Sequence, residues 1–343
     1  MLPAGRDLSR SYHQIQMRVR RTTRTRLDRY LQERLGWTSR TRVQKLVRLG
    51  RVEVNGEVAK PSTRVSVGDQ LLVKLNAGGL PLEKGGRPLG HPLWQDPWLI
   101  AIDKPAGRLV HPVGRTLSGT ILNELHHHFR EVNLSPGPEV IPRLCHRLDR
   151  DTSGLLLIAT TIEARRRMQI AFEKGEVKKC YIAVVEGEVE SDSFEVDVSV
   201  QAHLDRSRRG DNRLARAAVE GKESLTRFQL LGRGRGFSIL LCRPITGRQN
   251  QIRIHLQSAG HPILGDGGYG ATEESFKAGG GILPAAVPYP RRALLHSWKL
   301  RFPHPIWRLQ YHLECPLPGD QRPFLEAAAL SKLPSFVSLA IKG

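Results

Sequence analysis

Hydrophobic residues recur at helical spacing in two neighbouring segments near the N-terminus, residues 27–35 and 40–49. Within each segment the apolar positions lie mostly three or four residues apart, which places them on one face of a helix. A glycine follows each segment, as is typical at helix ends. Two short helices are therefore predicted. Their apolar positions are Leu27, Tyr30, Leu31 and Leu35 in the first and Val43, Leu46, Val47 and Leu49 in the second.

A β-hairpin is predicted directly after the second helix. Residues 52–54 alternate between apolar and polar and lead into Asn55-Gly56, a strong signal for a two-residue turn because both residue types tolerate positive φ. A second turn at Gly68-Asp69 leads into the largely apolar run 70–73. Residues 25–75 are therefore expected to form a small helix–helix–hairpin domain.

Short apolar runs typical of strands dominate the chain after residue 94, with three helical segments between them. This mixture, together with hairpin-type turns, predicts an α+β domain built on a largely antiparallel, mixed sheet. The predicted strands cover residues 98–102, 154–160, 181–186, 194–200, 226–231, 237–242 and 293–302, and the predicted helices cover residues 120–129, 163–173 and 249–259.

The remaining segments complete the expected domain organisation. Residues 1–24 lack periodicity and are expected to form a basic, flexible arm ahead of the small domain, residues 25–75. Residues 76–93 are rich in Gly and Pro and are expected to be a linker. The larger domain is then expected over residues 94–317, followed by a peripheral tail over residues 318–343.

The charge of the chain is strongly basic and unevenly distributed. Lys and Arg number 53 against 33 Asp and Glu, a net charge of +20. Residues 1–60 hold 15 basic against 5 acidic residues, a net of +10. A concentrated basic field attracts a polyanion and displaces its counterions. Nucleic acid is the expected partner, because a membrane surface would require a basic helix with a bulky apolar face.

The second predicted helix carries a basic face formed by Arg40, Arg42, Lys45 and Arg48, with no acidic residue between positions 39 and 50. Such a face can be merely solvated, or it can contact RNA phosphates. Residues 25–75 resemble the small RNA-binding domain named after the fourth protein of the small ribosomal subunit. That resemblance favours RNA contact by these four residues.

Other features of the sequence narrow the class of protein. No run of about 18 apolar residues is present, and the N-terminus lacks the apolar core of a secretory signal. The four cysteines are widely spaced, without a CxxC pair, so neither a zinc site nor a disulfide framework is expected. Three successive histidines, residues 126–128, point in different directions on a helix, and no metal site is predicted. A reducing cytoplasm is the expected location.

The most informative segment for chemistry is residues 146–154 (HRLDRDTSG), which leads directly into an apolar strand. A charged loop that feeds a buried strand is where a rigid scaffold presents catalytic groups. Asp149 and Asp151 are both candidates for a nucleophile or an acid–base group. The alternative is that one of them only caps a turn, and the residues alone do not decide between these two interpretations.

Three further stretches accompany this loop in a fixed order, and the set resembles the RluA-type pseudouridine synthases. Several motifs in order are far more specific than any one of them. The stretches are IDKPAG (102–107) with VHP (110–112), KCYIA (179–183), and GRQNQIRIHL (247–256) with GHPILGD (260–266), and LH (295–296) and FPHP (302–305) continue the match.

The resemblance implies a role for individual residues. It makes Asp149 the catalytic aspartate, Tyr181 the aromatic residue that stacks on the target base and acts as a base, and Arg253 the arginine that pairs with the carboxylate. It also implies that Arg147 fills the gap when the base leaves its stack, and that Arg248 contacts RNA. Without the resemblance, Tyr181 would be interpreted as a strand aromatic and Arg253 as a surface charge.

The resemblance also implies the reaction, which is the isomerisation of uridine to pseudouridine in structured RNA without a cofactor. Large-subunit ribosomal RNA is favoured over transfer RNA because family members with this N-terminal domain usually act there, and a monomer is expected. One departure is Gln249-Asn250, where the family usually has Thr-His, and altered substrate grip is expected from it. The alternatives are a catalytically inactive RNA-binding or assembly protein and a nucleoside hydrolase that uses a carboxylate pair.

Overall fold

The computed structural model describes residues 14–20, 24–35, 40–74, 92–113, 116, 119–132, 140–202, 215–217, 221–330 and 333. The expected linker falls almost entirely outside these residues. The chain divides into two compact units. The first comprises Met1–Gly86 with Pro112–Pro136, and the second comprises Arg87–His111 with Gly137–Gly343. No helix in the described ranges is long and apolar enough to cross a membrane.

The described residues of the first unit form six short strands and three helices. The strands are β1 Gln14–Arg18, β2 Thr25–Arg26, β3 Val52–Val54, β4 Glu57–Val58, β5 Arg64–Val65 and β6 Gln70–Lys74, and the helices are α1 Leu27–Leu35, α2 Arg40–Arg48 and α3 Ile121–Val132. Four of the strands form an antiparallel sheet in the order β1-β6-β3-β4, and β2 pairs with β5.

Both predicted helices of the small domain and its hairpin are confirmed. The apolar faces of α1 and α2 enter one core, in which Leu27, Leu31 and Val43 are fully buried. Asn55 and Gly56 have φ values of 52° and 88°, as a tight turn between antiparallel strands requires. The prediction that Leu49 shares the apolar face is wrong. Its side chain is 58% exposed because α2 ends one residue earlier.

The expectation of a flexible arm over residues 1–24 is wrong for residues 14–18. They form β1, which pairs with the whole length of β6, from Gln14 opposite Lys74 to Arg18 opposite Gln70. Val19, which follows β1, is 1% exposed and belongs to the core of this unit. Polar and apolar residues alternate through residues 14–20 (QIQMRVR), which is the period-two pattern of a half-buried strand. The sequence therefore carried a local signal for β1, which the expectation of a flexible arm overlooked.

The second unit is built on one ten-stranded sheet. Its strands are β7 Trp94–Gln95, β8 Leu99–Lys104, β9 Arg143–Leu144, β10 Ser153–Ala159, β11 Lys178–Glu186, β12 Ser193–Asp197, β15 Leu225–Gly234, β16 Phe237–Pro244, β17 Leu295–Pro303 and β18 Gln310–Glu314. A separate hairpin joins β13 Val200–Ala202 to β14 Ala215–Ala217. The helices are α4 Ile162–Glu173, α5 Gln251–Ser258, α6 Glu273–Ala278 and α7 Arg322–Ala327.

The sheet runs in the order β12-β15-β16-β11-β17-β10-β8-β7, with β18 beside β17 and β9 beside β10. Its strand pairs are antiparallel except for β10 with β17, which is parallel. The prediction of a largely antiparallel, mixed sheet is therefore confirmed. Helix α4 packs its buried face, Ala164, Met168 and Ala171, into the same core as strands β8 and β10.

The expectation of a peripheral tail over residues 318–343 is wrong for its first part. Helix α7 inserts Phe324, which is fully buried, edge-on against Phe237 of β16 at 5.3 Å between ring centroids. Gln321 is also fully buried and donates a hydrogen bond to the carbonyl of Ile182 in β11. The segment therefore completes the core of the second unit. Residues 334–343 lie outside the described ranges.

Candidate active site

Asp149 lies in the loop between β9 and β10, residues 145–152, which we call the Asp149 loop. Its N-terminal end is held by His146, whose Nε2 accepts a hydrogen bond from the backbone N–H of Leu157 at 3.0 Å. Burial and the nearby Lys179 lower the pKa of His146 to about 3. The imidazole is therefore neutral and available as an acceptor at neutral pH.

Lys104, the last residue of β8, holds the middle of the Asp149 loop. Its side chain is fully buried, and Nζ donates to the carbonyl of Arg150 at 2.9 Å. Nζ also donates to the carbonyls of Pro105 at 2.7 Å and Arg108 at 3.0 Å. Burial lowers the pKa of Lys104 to about 7, opposed by the negative charges of Asp151 and Asp149. One buried lysine side chain thus ties two loops together.

Asp149 itself is half-buried and surrounded by charges of both signs. Burial raises the pKa of the Asp149 carboxyl, and the negative charge of Asp266 adds to that rise. The positive charges of Arg253, Arg147 and Lys104 act in the opposite direction and favour the carboxylate. The ionisation of Asp149 therefore depends on three cations from three different segments of the chain.

Tyr181 lies in β11 and is 8% exposed. Burial raises the pKa of its hydroxyl, and the negative charge of Asp149 adds to this rise. A hydrogen bond with the side chain of Ser297 acts in the opposite direction. The structure therefore brings Tyr181 and Asp149 together. The phenol is neutral at physiological pH, so it can offer a ring face and a hydroxyl, and it cannot offer a stable phenolate.

Arg253 projects from α5 into the same region. Its Nε and Nη2 donate to the two carboxylate oxygens of Asp266 at 2.6 and 2.7 Å, and its guanidinium lies 4.6 Å from the ring centroid of Tyr269. Burial opposes the charge, but the bonds to Asp266 raise the pKa of Arg253, so it stays protonated. Within the described residues the bidentate partner of Arg253 is Asp266, and Asp149 interacts with it electrostatically.

Asn250, one of the two residues that depart from the family pattern, takes part in this cluster. It caps α5 in the left-handed conformation, with φ 56°. Its Oδ1 accepts from Nη1 of Arg253 at 3.1 Å, and its Nδ2 donates to the Tyr269 hydroxyl at 3.0 Å. Sequence reasoning missed Asp266, Tyr269 and Lys104. Lys104 and Asp266 lie in stretches that resemble the family motifs, residues 102–107 and 260–266, and this resemblance could have pointed to them.

The residues predicted to contact RNA differ in their exposure and in their hydrogen-bond partners. Arg147 is exposed beside Asp149, and Arg248 is exposed with its Nε bonded to the carbonyl of Glu223 at 3.2 Å. Arg40 donates to the buried carboxylate of Asp28 at 3.1 Å, so it also has a structural role. Arg48 is exposed. The side chains of Arg42 and Lys45 lie outside the described part of the structure.

Metal ligands are not grouped in the part of the chain that the structure describes. No set of three or more His, Cys, Asp or Glu side chains there could hold a metal ion. All four cysteines are buried thiols. The groups that do converge are a carboxylate, a phenol and an arginine. Together they can carry out nucleophilic or acid–base chemistry on a flat, polar substrate.

Comparisons with known proteins match both units. The family model described as RNA pseudouridylate synthase matches residues 98–258, and the S4 domain model matches residues 25–71. The chain is 34% identical over 306 residues to the ribosomal large subunit pseudouridine synthase D of Nitrosomonas europaea, covering 88% of this chain and 84% of that protein. The protein of the same name from Vibrio parahaemolyticus is 31% identical over 306 residues, which cover 88% of this chain and 90% of that protein.

A solved structure is also similar. Human RNA pseudouridylate synthase domain containing 4 matches with a TM-score of 0.55 at 24% identity, over 73% of this chain and 97% of that chain. At this level of identity the likeness concerns the fold.

Proposed function

The chain belongs to the RNA pseudouridylate synthase family, and we propose that it converts specific uridines of large-subunit ribosomal RNA into pseudouridine with Asp149 as the catalytic carboxylate. The family makes it an isomerase whose substrate is RNA.

The reaction breaks the bond from C1′ of the ribose to N1 of uracil, turns the base and joins C5 to C1′. N1 gains a proton, and C5 loses one. The target base must first leave the RNA stack, which costs a few kcal/mol. Asp149 then either adds to C1′, as the nucleophile of a retaining glycosidase does, or removes a proton from a neighbouring sugar carbon. Both routes require the carboxylate.

The convergence of Asp149 with Arg253 and Tyr181 is the observation that carries the proposal. Arg253 is kept charged by Asp266 and favours the ionised form of Asp149. The neutral phenol of Tyr181 suits stacking on the flipped uracil and hydrogen bonding to it, and this argues against its acting as a phenolate base. Arg147, exposed beside Asp149, is in a position to occupy the space that the flipped base leaves.

The choice of large-subunit ribosomal RNA rests on the names of the relatives and on the N-terminal S4 domain match. The proposal includes action as a monomer, which light scattering at assay concentration tests. It also includes a cytoplasmic location, since that is where the proposed substrate would be met.

The test is pseudouridine mapping of total RNA from cells with and without the protein, followed by the same assay on purified RNA. Wild-type protein should form pseudouridine at defined positions of large-subunit ribosomal RNA. Asp149→Asn should abolish the product, because it removes the charge and keeps the shape.

Asp151→Asn is the matched control, since Asp151 lies two residues away and its carboxylate pairs with Arg150. This variant should retain most of the activity. Product formation by Asp149→Asn at more than a few per cent of the wild-type rate would refute the assignment of Asp149. Modification confined to transfer RNA would refute the proposed substrate. Release of free uracil would indicate a hydrolase.

A further inference from the structure

The backbone on the C-terminal side of Asp149 is held by a second cation, Arg292. Its Nη1 donates to the carbonyl of Asp151 at 3.1 Å. The same nitrogen donates to the carbonyl of Ala293 at 2.9 Å. Lys104 holds the carbonyl of Arg150. The carbonyls of both residues that directly follow Asp149 are therefore bonded to separate cationic side chains.

The other edge of the Arg292 guanidinium is held by the C-terminal segment. Nε and Nη2 donate to Oδ2 and Oδ1 of Asp320, both at 2.7 Å. The Arg292 side chain is 13% exposed and that of Asp320 is 48% exposed. A planar guanidinium can bind a carboxylate with one edge and carbonyls with its remaining nitrogen, whereas a lysine ammonium cannot reproduce this fork.

Asp320 is in turn fixed by a buried anchor. Gln321, the next residue, is fully buried and donates to the carbonyl of Ile182, next to Tyr181 in β11. Phe324 and Leu325 of α7 are buried in the core. A continuous set of contacts thus connects the core strand that carries Tyr181, through Asp320 and Arg292, to the loop that carries Asp149.

We propose that Arg292 and Asp320 are positioning residues, through which the C-terminal segment fixes the Asp149 loop for catalysis. The inference rests on the proposed role of Asp149. A displacement of about 1 Å in a reacting group can lower a rate about 100-fold. Neither residue is proposed to touch the RNA, so their loss should slow the chemical step and leave RNA binding intact.

The experiment measures the single-turnover rate, with enzyme in excess, and the RNA dissociation constant for Asp320→Asn and Arg292→Lys. Asp320→Asn should lower the rate about 10-fold and Arg292→Lys about 100-fold. The dissociation constant should change less than about twofold. Asp320→Glu, which keeps the ion pair, should retain most of the wild-type rate.

Glu314→Gln is the matched control. Glu314 of β18 pairs with Lys299 of β17 at 3.0 Å, with side-chain exposures of 56% and 2%, so this ion pair joins two strands of the sheet. Its rate should stay within about twofold of wild type. Equal losses in Asp320→Asn and Glu314→Gln would overturn the proposal, as would a loss that appears only in RNA binding.

Asp320 is half exposed, so its variants keep the test valid even where Arg292→Lys does not fold. Failure of the proposed function would be recognised separately. In that case Asp149→Asn would stay active, whatever the rate of Asp320→Asn.

Discussion

The ionisation of Asp149 is determined by several opposing effects. Burial and the charge of Asp266 favour the protonated acid, while Arg253, Arg147 and Lys104 favour the carboxylate. Arg147 is the most accessible of these cations, because its side chain is exposed. Its contribution can therefore be removed without opening the core.

We expect Arg147→Gln to raise the pKa of Asp149 further, because one of the charges that stabilise the carboxylate is lost. Since the proposed mechanism requires the ionised form of Asp149, the acidic limb of the profile of kcat/KM against pH should move towards neutral pH. Activity should be lost first at low pH, and the position of the limb, measured from about pH 5 to pH 9, is the readout.

Arg248→Gln is the control for this prediction. Arg248 is also exposed and is predicted to contact RNA, but it is not among the main charges that shift the pKa of Asp149. Its loss should lower kcat/KM at every pH without moving the limb. A limb that is unchanged in Arg147→Gln would contradict the prediction.

Asn250 shows that a departure from the family pattern can keep a structural role. The side chain bonds to both Arg253 and Tyr269, and its left-handed backbone is one that Asn tolerates better than most residues. The expected change in substrate grip is not tested by these contacts and stays a prediction. The contacts do support a structural role for Asn250, which helps to fix the position of the Arg253 side chain.

The junction of β10 and β17 is the element that presents the Asp149 loop. These strands pair in parallel over two positions, Ser153 with His296 and Gly154 with Ser297. Gly154 has φ 105°, and a Cβ there would lie 2.3 Å from the carbonyl oxygen of Ser297. A side chain at this position would therefore force the two strands apart directly after the loop.

We expect Gly154→Ala to lower the free energy of unfolding of the second unit by about 3 kcal/mol, because steric overlap adds to backbone strain. Urea titration followed by tryptophan fluorescence measures this loss, because four of the five tryptophans lie in the second unit. Gly175→Ala is the control. Gly175 also has positive φ, 69°, but open space around it, so only about 1 kcal/mol should be lost. Equal losses would show that the contact with Ser297 relaxes easily.

On the scale of the whole molecule, the net charge of +20 and the concentration of basic residues in the first 60 positions suit a polyanionic substrate. The basic face of α2 is not uniform, however. Arg40 is bonded to Asp28, whose pKa is held low mainly by Arg26, with Gln44 and Arg40 also bonded to the carboxylate. Arg40 should therefore be left unchanged when RNA contact by α2 is tested.

We expect the triple variant Arg42→Gln, Lys45→Gln, Arg48→Gln to weaken RNA binding and to lower the slope of log affinity against log salt by about 2 to 3, at about 0.7–0.9 for each phosphate contact. The loss should appear in KM, since these residues are not proposed to meet the reacting uracil. Binding measured at several salt concentrations tests this.

A second triple variant removes the same charge from exposed positions of the second unit, with Gln replacing Arg227, Arg235 and Lys277. Its salt slope should stay close to wild type. If both variants lowered the slope equally, binding would depend on total charge, and the basic face of α2 would have no particular role.

Local patterns in the sequence determined a large part of this protein. The apolar spacing of residues 27–35 and the Asn55-Gly56 turn depend on neighbours in the chain, and both were predictable because helical periodicity and turn conformation are short-range properties. The resemblance of the ordered motifs to one family likewise grouped Asp149, Tyr181 and Arg253, and the fold brings these three residues together.

Tertiary structure alone decided the features whose partners are distant in sequence. The segment from Asp320 into α7 became part of the core because Phe237 and Ile182 contact it. The hydrogen bonds from Arg253 to the carboxylate of Asp266 and from Arg292 to the carbonyl of Asp151 join residues that are distant in the sequence. A contact between residues far apart in the chain leaves no local pattern in the sequence. Only the folded structure therefore shows which charged groups surround Asp149 and shift its pKa.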